Sequence, residues 1–335
     1  MQIAISAAHK PETKKKKSRE INKQDCFRKR LITNFFISPN PYLQSFADNY
    51  ILSTSNGEKI TISGAWPASN EMSLVFYMSD LPSHHTCEGV ISPLKNEHGC
   101  VVGLLSQYNG LVSFEGIYHT FIIQFKANGF NKLFRLPVAD FVNKLYYLDD
   151  VFGKEARNLN EQLMSAPDIQ TMAVYADKFL LHFLNVQKSY VNLYDGITFI
   201  SNELFNSSPL LSIEQYASKA NMSLRNFGRR FTEQTGVSPK FYCRLLRFNN
   251  AINTRLKHPQ NNWTSIAHDC GYFDQMHMIK DFKEFANANP SALFQNNTEI
   301  TSPHQGLLDS RNDAFVLSNS STNSERFVVV KRSGF

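Results

Sequence analysis

The chain has 335 residues, 42% of them hydrophobic and 19% charged, with a formal net charge of +6. That composition excludes fibrous and low-complexity classes and suits about two domains of roughly 100 to 200 residues each. No apolar run approaches the roughly 18 residues of a membrane span, and the N-terminal stretch lacks a hydrophobic signal segment, so a cytoplasmic chain with no membrane partner is expected.

The charge is unevenly spread. Residues 1–33 hold ten Lys/Arg against three acids, and residues 212–294 hold eleven against six, which leaves a net −6 for the rest. A basic C-terminal block beside an acidic middle points to a polyanion as partner of the former. The five cysteines, Cys26, Cys87, Cys100, Cys243 and Cys270, are scattered, with no CxxC and no Cys/His cluster at metal spacing. They read as reduced packing thiols, so neither a metal nor a cofactor is expected.

In chain order, residues 1–33 carry Lys14–Lys17 and Arg28–Arg30 without apolar periodicity. They read as a flexible basic tail, either a solvated extension or an extra source of nonspecific DNA attraction. From Phe35 to about Phe134 come short runs such as Lys59–Ile62, Ser73–Tyr77, Cys100–Leu105 and Thr120–Phe125. Rich in β-branched and aromatic residues, and bounded by Asn56-Gly57 and Asn109-Gly110 turns, they predict a mainly antiparallel sheet or barrel. Helical signals follow Pro137: Phe141-Val142 with Leu145-Tyr146, then Leu159, Leu163 and Met164, then Met172 to Phe183. They predict three helices closing a domain over residues 34–190. The dense aromatics of this part, Phe76, Tyr77, Tyr108, Phe114, Tyr118, Phe121, Phe125, Phe130 and Phe134, read first as a core. His84-His85 near Cys87 and Glu88 invites a metal reading, but adjacent histidines do not form a compact site as an i, i+4 pair does.

A junction at about Gln187–Asp195 leads into a second domain over residues 197–294, all α. Ser212, with Gln215 three residues on, makes a capping box before a short helix; a corner at Asn221-Met222 and a second cap at Ser223 start another helix carrying Leu224, Phe227 and Phe231 inward. The plan repeats from Trp263 through a turn at Gly271 to a helix from about Asp274, with Met278, Phe282 and Phe285 inward. Between the two units Pro239 opens a helix that His258-Pro259 stops. From Pro239 to Lys257 it would be about 28 Å long, comparable to the roughly 34 Å between successive major-groove faces of B-DNA. Residues 295–335, rich in Asn, Ser and Thr (Ser318–Ser324), read as a disordered tail.

This double helix-turn-helix run resembles the DNA-binding domain of the AraC/XylS family of transcription regulators. The resemblance is carried by Met222-Ser223, Phe227, Arg229, Phe231, Thr235–Pro239, Tyr242, Leu246-Arg247, Ala251, Ile266-Ala267, Gly271-Tyr272, Asp274-Gln275, Phe282-Lys283 and Pro290. Two departures stand out: Gly228 replaces a larger polar residue, and Asn287 stands where the family usually has glycine. Asn287 tolerates a left-handed backbone, whereas Gly228 weakens its helix and offers the groove no side chain. Phe125–Phe130 followed by Leu133–Pro137 is similar to the effector or dimerisation half of certain members, over about Pro41 to Leu184.

The chain is thus expected to be α+β, with an N-terminal antiparallel β domain bearing helices and a C-terminal double helix-turn-helix domain. On the first reading helix Arg225, Asn226 and Arg229 face outward. The two arginines can bridge guanine O6 and N7, or contact phosphates. On the second, Gln275 can pair with adenine, Met276 or Ile279 can touch a thymine methyl, Lys280 and Lys283 suit phosphates, and His277 faces solvent or a phosphate. A transcription regulator, with activation among its expected roles, is the leading reading. Its partners are double-stranded DNA, a small-molecule effector, a second copy of the chain and RNA polymerase. Catalysis on DNA would need a reactive cysteine, which the scattered thiols do not supply; a nonspecific DNA-coating protein would not need two paired reading helices.

Overall fold

The computed structural model describes residues 32–85, 91–93, 99–187, 195–206, 211–296, 299–302, 306–309 and 315–317. The lysine-rich stretch, most of the junction, the Ser318–Ser324 run, Cys26, Cys87, Glu88 and the side chains of His84 and His85 lie outside the described residues.

The N-terminal part forms β1 (Thr33–Ile37), β2 (Ala47–Ala65), β3 (Met72–Tyr77), β4 (Ser83–His85), β5 (Ile91–Pro93), β6 (Cys100–Val102) and β7 (Leu111–Phe125). β2 and β7 are the spine, antiparallel from Ala47↔Phe125 to Ala65↔Leu111. β4 pairs with the start of β7 and β3 with its end. β6 lies on the far side of β3, and β1 on β2. Asn56 and Gly57 do adopt positive φ, 54° and 80°, yet they turn no hairpin. They lie in a bulge of β2, where the register with β7 jumps between Thr54 and Lys59. Ser55 closes it, its hydroxyl donating to the Glu58 carbonyl (2.6 Å) and accepting from the Tyr118 N–H (3.0 Å).

After the sheet come α1 (Gly129–Phe134), a 3-10 turn over Val138–Phe141, β8 (Leu145–Tyr147), α2 (Leu148–Phe152), α3 (Lys154–Ser165) and α4 (Ile169–Gln187). The helix expected around Phe141–Tyr146 is therefore a tight turn and a strand, because Leu145–Tyr147 pairs antiparallel with β6. Gly129 opens α1 where a Cβ would meet the Phe46 carbonyl oxygen at 1.8 Å, so only glycine allows this approach to the sheet. The expected aromatic core is present: Phe125, Phe130, Phe134 and Phe152 pack with tilted and edge-on rings 4.7–6.5 Å apart. Tyr50 of β2 donates to Asp177 of α4 at 2.7 Å, pinning helix to sheet.

The C-terminal helices are α5 (Gly196–Asn206), α6 (Ile213–Lys219), α7 (Leu224–Thr235), α8 (Pro239–Lys257), α9 (Trp263–Asp269), α10 (Gln275–Ala286) and α11 (Pro290–Asn296). Phe227, Phe231, Phe248 and Phe282 are fully buried at their centre. Each contributes about 1.5–3 kcal/mol by leaving water. The same core takes in Ala65, Ala68 and Leu104 of the N-terminal part. Past α11, the stretch read as disordered contains three short strands, β9 (Glu299–Ser302), β10 (Gly306–Asp309) and β11 (Phe315–Leu317). β9 bridges to β2 at Ala65 and β11 runs parallel to β1. No helix among the described residues is long and apolar enough to cross a membrane.

Candidate nucleic-acid interface

The first unit begins at Ser212. Its hydroxyl accepts the Gln215 N–H, and the Gln215 side chain accepts the Ser212 N–H, a complete capping box for α6. The chain then turns through Asn221 at φ 54°, with the Met222 N–H donated to the Ala217 carbonyl (3.0 Å), and Ser223 caps α7. α7 ends on Gly236 at φ 82°, Ser238 caps α8, and Pro239 occupies its first turn.

The second unit repeats these positions. Asn262 caps α9, Gly271 takes the left-handed corner at φ 78°, and the Tyr272 N–H is donated to the Ala267 carbonyl (2.9 Å). Asp274 then caps α10, accepting the His277 N–H at 2.7 Å, and Asn287 ends it at φ 52°. One residue is extra. From corner to cap the first unit has Met222 alone, whereas the second has Tyr272 and Phe273.

Outward on α7, Arg225 and Arg229 are exposed and Asn226 is half-buried. The Arg229 guanidinium is held along the helix, donating to Glu233 Oε1 (2.5 Å) and Asn226 Oδ1 (3.2 Å). Leu224, expected inward, is 49% exposed, because it is the first helical residue after the Ser223 cap and its side chain clears the core. Gly228 lies on the same outer side, and a Cβ there would meet nothing within 4 Å.

The opposite face of α7 is fastened to the N-terminal part. Asp195, buried before α5, accepts Lys132 Nζ (2.9 Å), Arg230 Nη2 (2.8 Å) and Gln234 Nε2 (3.0 Å). Burial opposes its charge, but bonds from the Thr198 N–H, Lys132 and Gln234 outweigh that and hold its carboxyl below the usual range. Asn128 completes the cluster, donating to Gln234 Oε1 and Thr198 Oγ1.

On α10, Met276, His277, Lys280 and Lys283 are exposed, while Gln275 and Ile279 are half-buried. Thr264 of α9 donates to Gln275 Oε1 at 2.8 Å and so orients that amide. Inward, Asp281 is 1% exposed and takes Arg244 of α8 at 2.7 Å. Arg244 also binds Glu284 and lies over the Phe285 ring at 4.9 Å. The second unit also meets the N-terminal part, the Ala68 N–H donating to the Phe285 carbonyl, and α8 meets it where Asn70 joins Tyr242 and Asn249.

All nine outward residues singled out in the sequence thus lie on the outer sides of α7 and α10, the helices that precede and follow the 19-residue α8 in the two units. What sequence reasoning missed is Phe273, 92% exposed; its signal was the extra residue in the second turn. Cys100, Cys243 and Cys270 are buried, and burial pushes the first two thiols up to about 12 and about 11. They are poor nucleophiles at neutral pH.

A family described as a helix-turn-helix domain matches residues 216–296. The transcriptional activator RhaS of Escherichia coli O139:H28 is 34% identical over 79 residues, 24% of this chain and 28% of that protein. RhaS of Citrobacter koseri is 33% identical over 82 residues, 24% of this chain and 29% of that protein. The chain thus spans less than a third of the length of these curated relatives. Among solved structures, ToxT of Vibrio cholerae aligns over 79% of this chain and 98% of its own, at 12% identity and a TM-score of 0.40. The DNA-binding domain of AdpA, solved with a target DNA, aligns over 31% and 93%, at 23% identity and a TM-score of 0.29. With the family match, the relatives and the repeated capped geometry falling on the same residues, the C-terminal block of this chain is a double helix-turn-helix domain of the AraC/XylS type.

Proposed function

We propose that the protein is a sequence-specific transcription regulator that sets α7 and α10 into successive major-groove segments of double-stranded DNA. The observation that carries this reading is the repeat itself: two capped helices, each turning exposed cations outward, in two units that a helix of 19 residues, about 28 Å long, joins in the chain. Arg225 and Arg229 are the base readers of the first segment, with Asn226 beside them. Gln275, Met276 and Ile279 read the second, and His277, Lys280 and Lys283 contact phosphates.

Residues 197–294 serve as the DNA-binding domain and residues 34–190 as an effector-sensing or dimerisation domain. The polar cluster at Asp195 supports a route by which the second informs the first, since Asp195 bridges Lys132 of α1 to Gln234 on the back of α7. Activation, through RNA polymerase, is the outcome favoured by the naming of the relatives as activators. A regulator of this kind works in the cytoplasm and performs no catalysis, and the high thiol pKa values support the latter.

Selection of bound fragments from random DNA with the full-length protein tests the reading. It is expected to enrich two short motifs about one helical turn apart, with random competitor DNA displacing them about a thousandfold less well than the selected sequence does, the order of specificity usual for such proteins. A bound pool without enrichment, and with affinity set by salt alone, would mean a nonspecific DNA coat.

A further inference from the structure

Resting on the DNA-binding reading above, we propose that Phe273 is a specificity residue: together with Met276 it reads thymine methyl groups in the second DNA segment. No other large apolar side chain among the described residues is as exposed as Phe273, at 92%, and Met276 stands at 68%. The cause is the extra residue of the second turn. Tyr272 takes the inward place, 4% exposed, with the Arg247 guanidinium 5.7 Å from its ring and the His277 ring edge-on at 5.5 Å. Asp274 must cap α10, so the residue between them is left to project.

That projection falls at the N-terminal end of the helix, the end that approaches base edges in helix-turn-helix docking. The apolar feature the major groove offers there is the thymine C5 methyl. The surroundings favour DNA over a protein partner. Lys280 and Lys283 are exposed on the same helix, while the neighbouring carboxylates are engaged: Asp274 accepts the His277 N–H and Glu284 accepts Arg244. The first unit has no residue at this place, because Ser223 follows Met222 directly; its own exposed apolar side chain, Leu224 at 49%, lies one step later, inside the helix.

The test uses the full chain and fragments it selects from random DNA, with each thymine of either segment replaced by uracil, which deletes the methyl alone. For the unaltered protein, swaps in the second segment are expected to lower affinity about fourfold per contacted methyl, and swaps in the first to leave it unchanged. Phe273→Ala should lose a similar factor on thymine DNA, become indifferent to the swap at one position, and melt as the parent does; Phe273→Tyr should keep the discrimination. If Phe273→Ala binds like the parent, or weakens equally on thymine and uracil DNA, the inference is overturned, and the ring faces a protein or the sugar-phosphate backbone. Arg229→Ala is measured alongside. Should it still relax the first segment while uracil changes nothing, this inference fails and the regulator reading survives; should selection enrich no sequence, both fail.

Discussion

In the first unit α7 turns Arg225, Asn226 and Arg229 outward, side chains that recognise by hydrogen bonds; in the second, α10 turns out Met276 between Gln275 and His277, with Phe273 just before it. Inward, the two are near copies. Phe227 and Phe231 answer Met278 and Phe282, a polar cap opens each helix, and a residue at positive φ closes each. Folding constrains the buried and capping positions, so they repeat. It leaves the outward positions alone, and a difference there is where function is written. The backs differ too. α7 is held by a charged cluster around Asp195, whereas α8 and the second unit meet the N-terminal part through neutral partners, Asn70 with Tyr242 and Asn249, and the Ala68 N–H with the Phe285 carbonyl.

The largest expected effects come from cutting the ion pairs behind each helix. Arg244→Met strands the Asp281 carboxylate in the core and is expected to cost about 3–5 kcal/mol in denaturant unfolding. Asp195→Ala, which removes the acceptor shared by Arg230 and Gln234, is expected to cost about 3 kcal/mol. Footprinting should separate them: protection of the second segment fails first in Arg244→Met, that of the first segment in Asp195→Ala. Equal loss on both segments in both variants would show one cooperative body rather than two separately held heads.

Next in size is the exposed chemistry of α7. Arg229→Ala is expected to weaken specific binding by about 1–3 kcal/mol and to relax one or two base pairs of the first segment only. Its clasp by Glu233 and Asn226 fixes the guanidinium along the helix, which favours a defined contact over a floating charge. A uniform loss across all DNA sequences would make Arg229 a phosphate contact instead.

These contrasts also show what a single sequence discloses. Ser212, Ser223 and Pro239 were legible because caps and first-turn prolines act within four residues, and Asn287 because a left-handed end needs Gly or Asn. Leu224 was misplaced because period alone ignores that a first-turn residue can clear the core. Leu145–Tyr147 was misread because spaced apolar residues next to Phe141 fit a helix, and only the distant partner β6 makes them a strand. The Asp195 cluster joins residues 35 and 63 positions apart in sequence, a distance at which local signals say nothing.

A smaller effect tests the neutral contact at α8 through pH. Burial pushes the Glu71 carboxyl up to about 8, Asp48 adds to this, and the bond from Gln124 opposes it; Glu71 also lies close enough to raise the Tyr242 hydroxyl. The folded protein therefore holds a proton that the unfolded chain, with an ordinary value of 4.5, releases. That contribution is whole below the unfolded value and is lost as pH rises toward 8. Glu71→Gln keeps the neutral shape, so its melting temperature minus that of the parent should grow between pH 5 and pH 8. A difference that stays flat would show that Glu71 is ionised in the folded protein.

The smallest change bears most directly on why the two faces differ. Gly228 is the α7 counterpart of Ile279, and it is the point where the outer side of α7 presents no side chain. The conflict between packing and reading is decided by space: a Cβ at 228 meets nothing within 4 Å, so the glycine is not required by a neighbour within the protein. Helix propensity then dominates, and Gly228→Ala is expected to stabilise the protein by about 0.5–1 kcal/mol, because alanine loses less backbone freedom than glycine in a helix interior. Thr232 already donates its hydroxyl to the Gly228 carbonyl at 2.9 Å, and the substitution leaves that bond untouched. Alanine should leave the selected sequences as they are, since a methyl carries no hydrogen-bond code, whereas Gly228→Gln should add a preference for adenine beneath that turn. Thermal melts and fragment selection on the two variants decide it. If alanine raises the melting temperature yet abolishes binding to the selected DNA, the glycine is there for a phosphate or base edge that comes too close for any side chain, and the first unit reads by proximity of its backbone at that step.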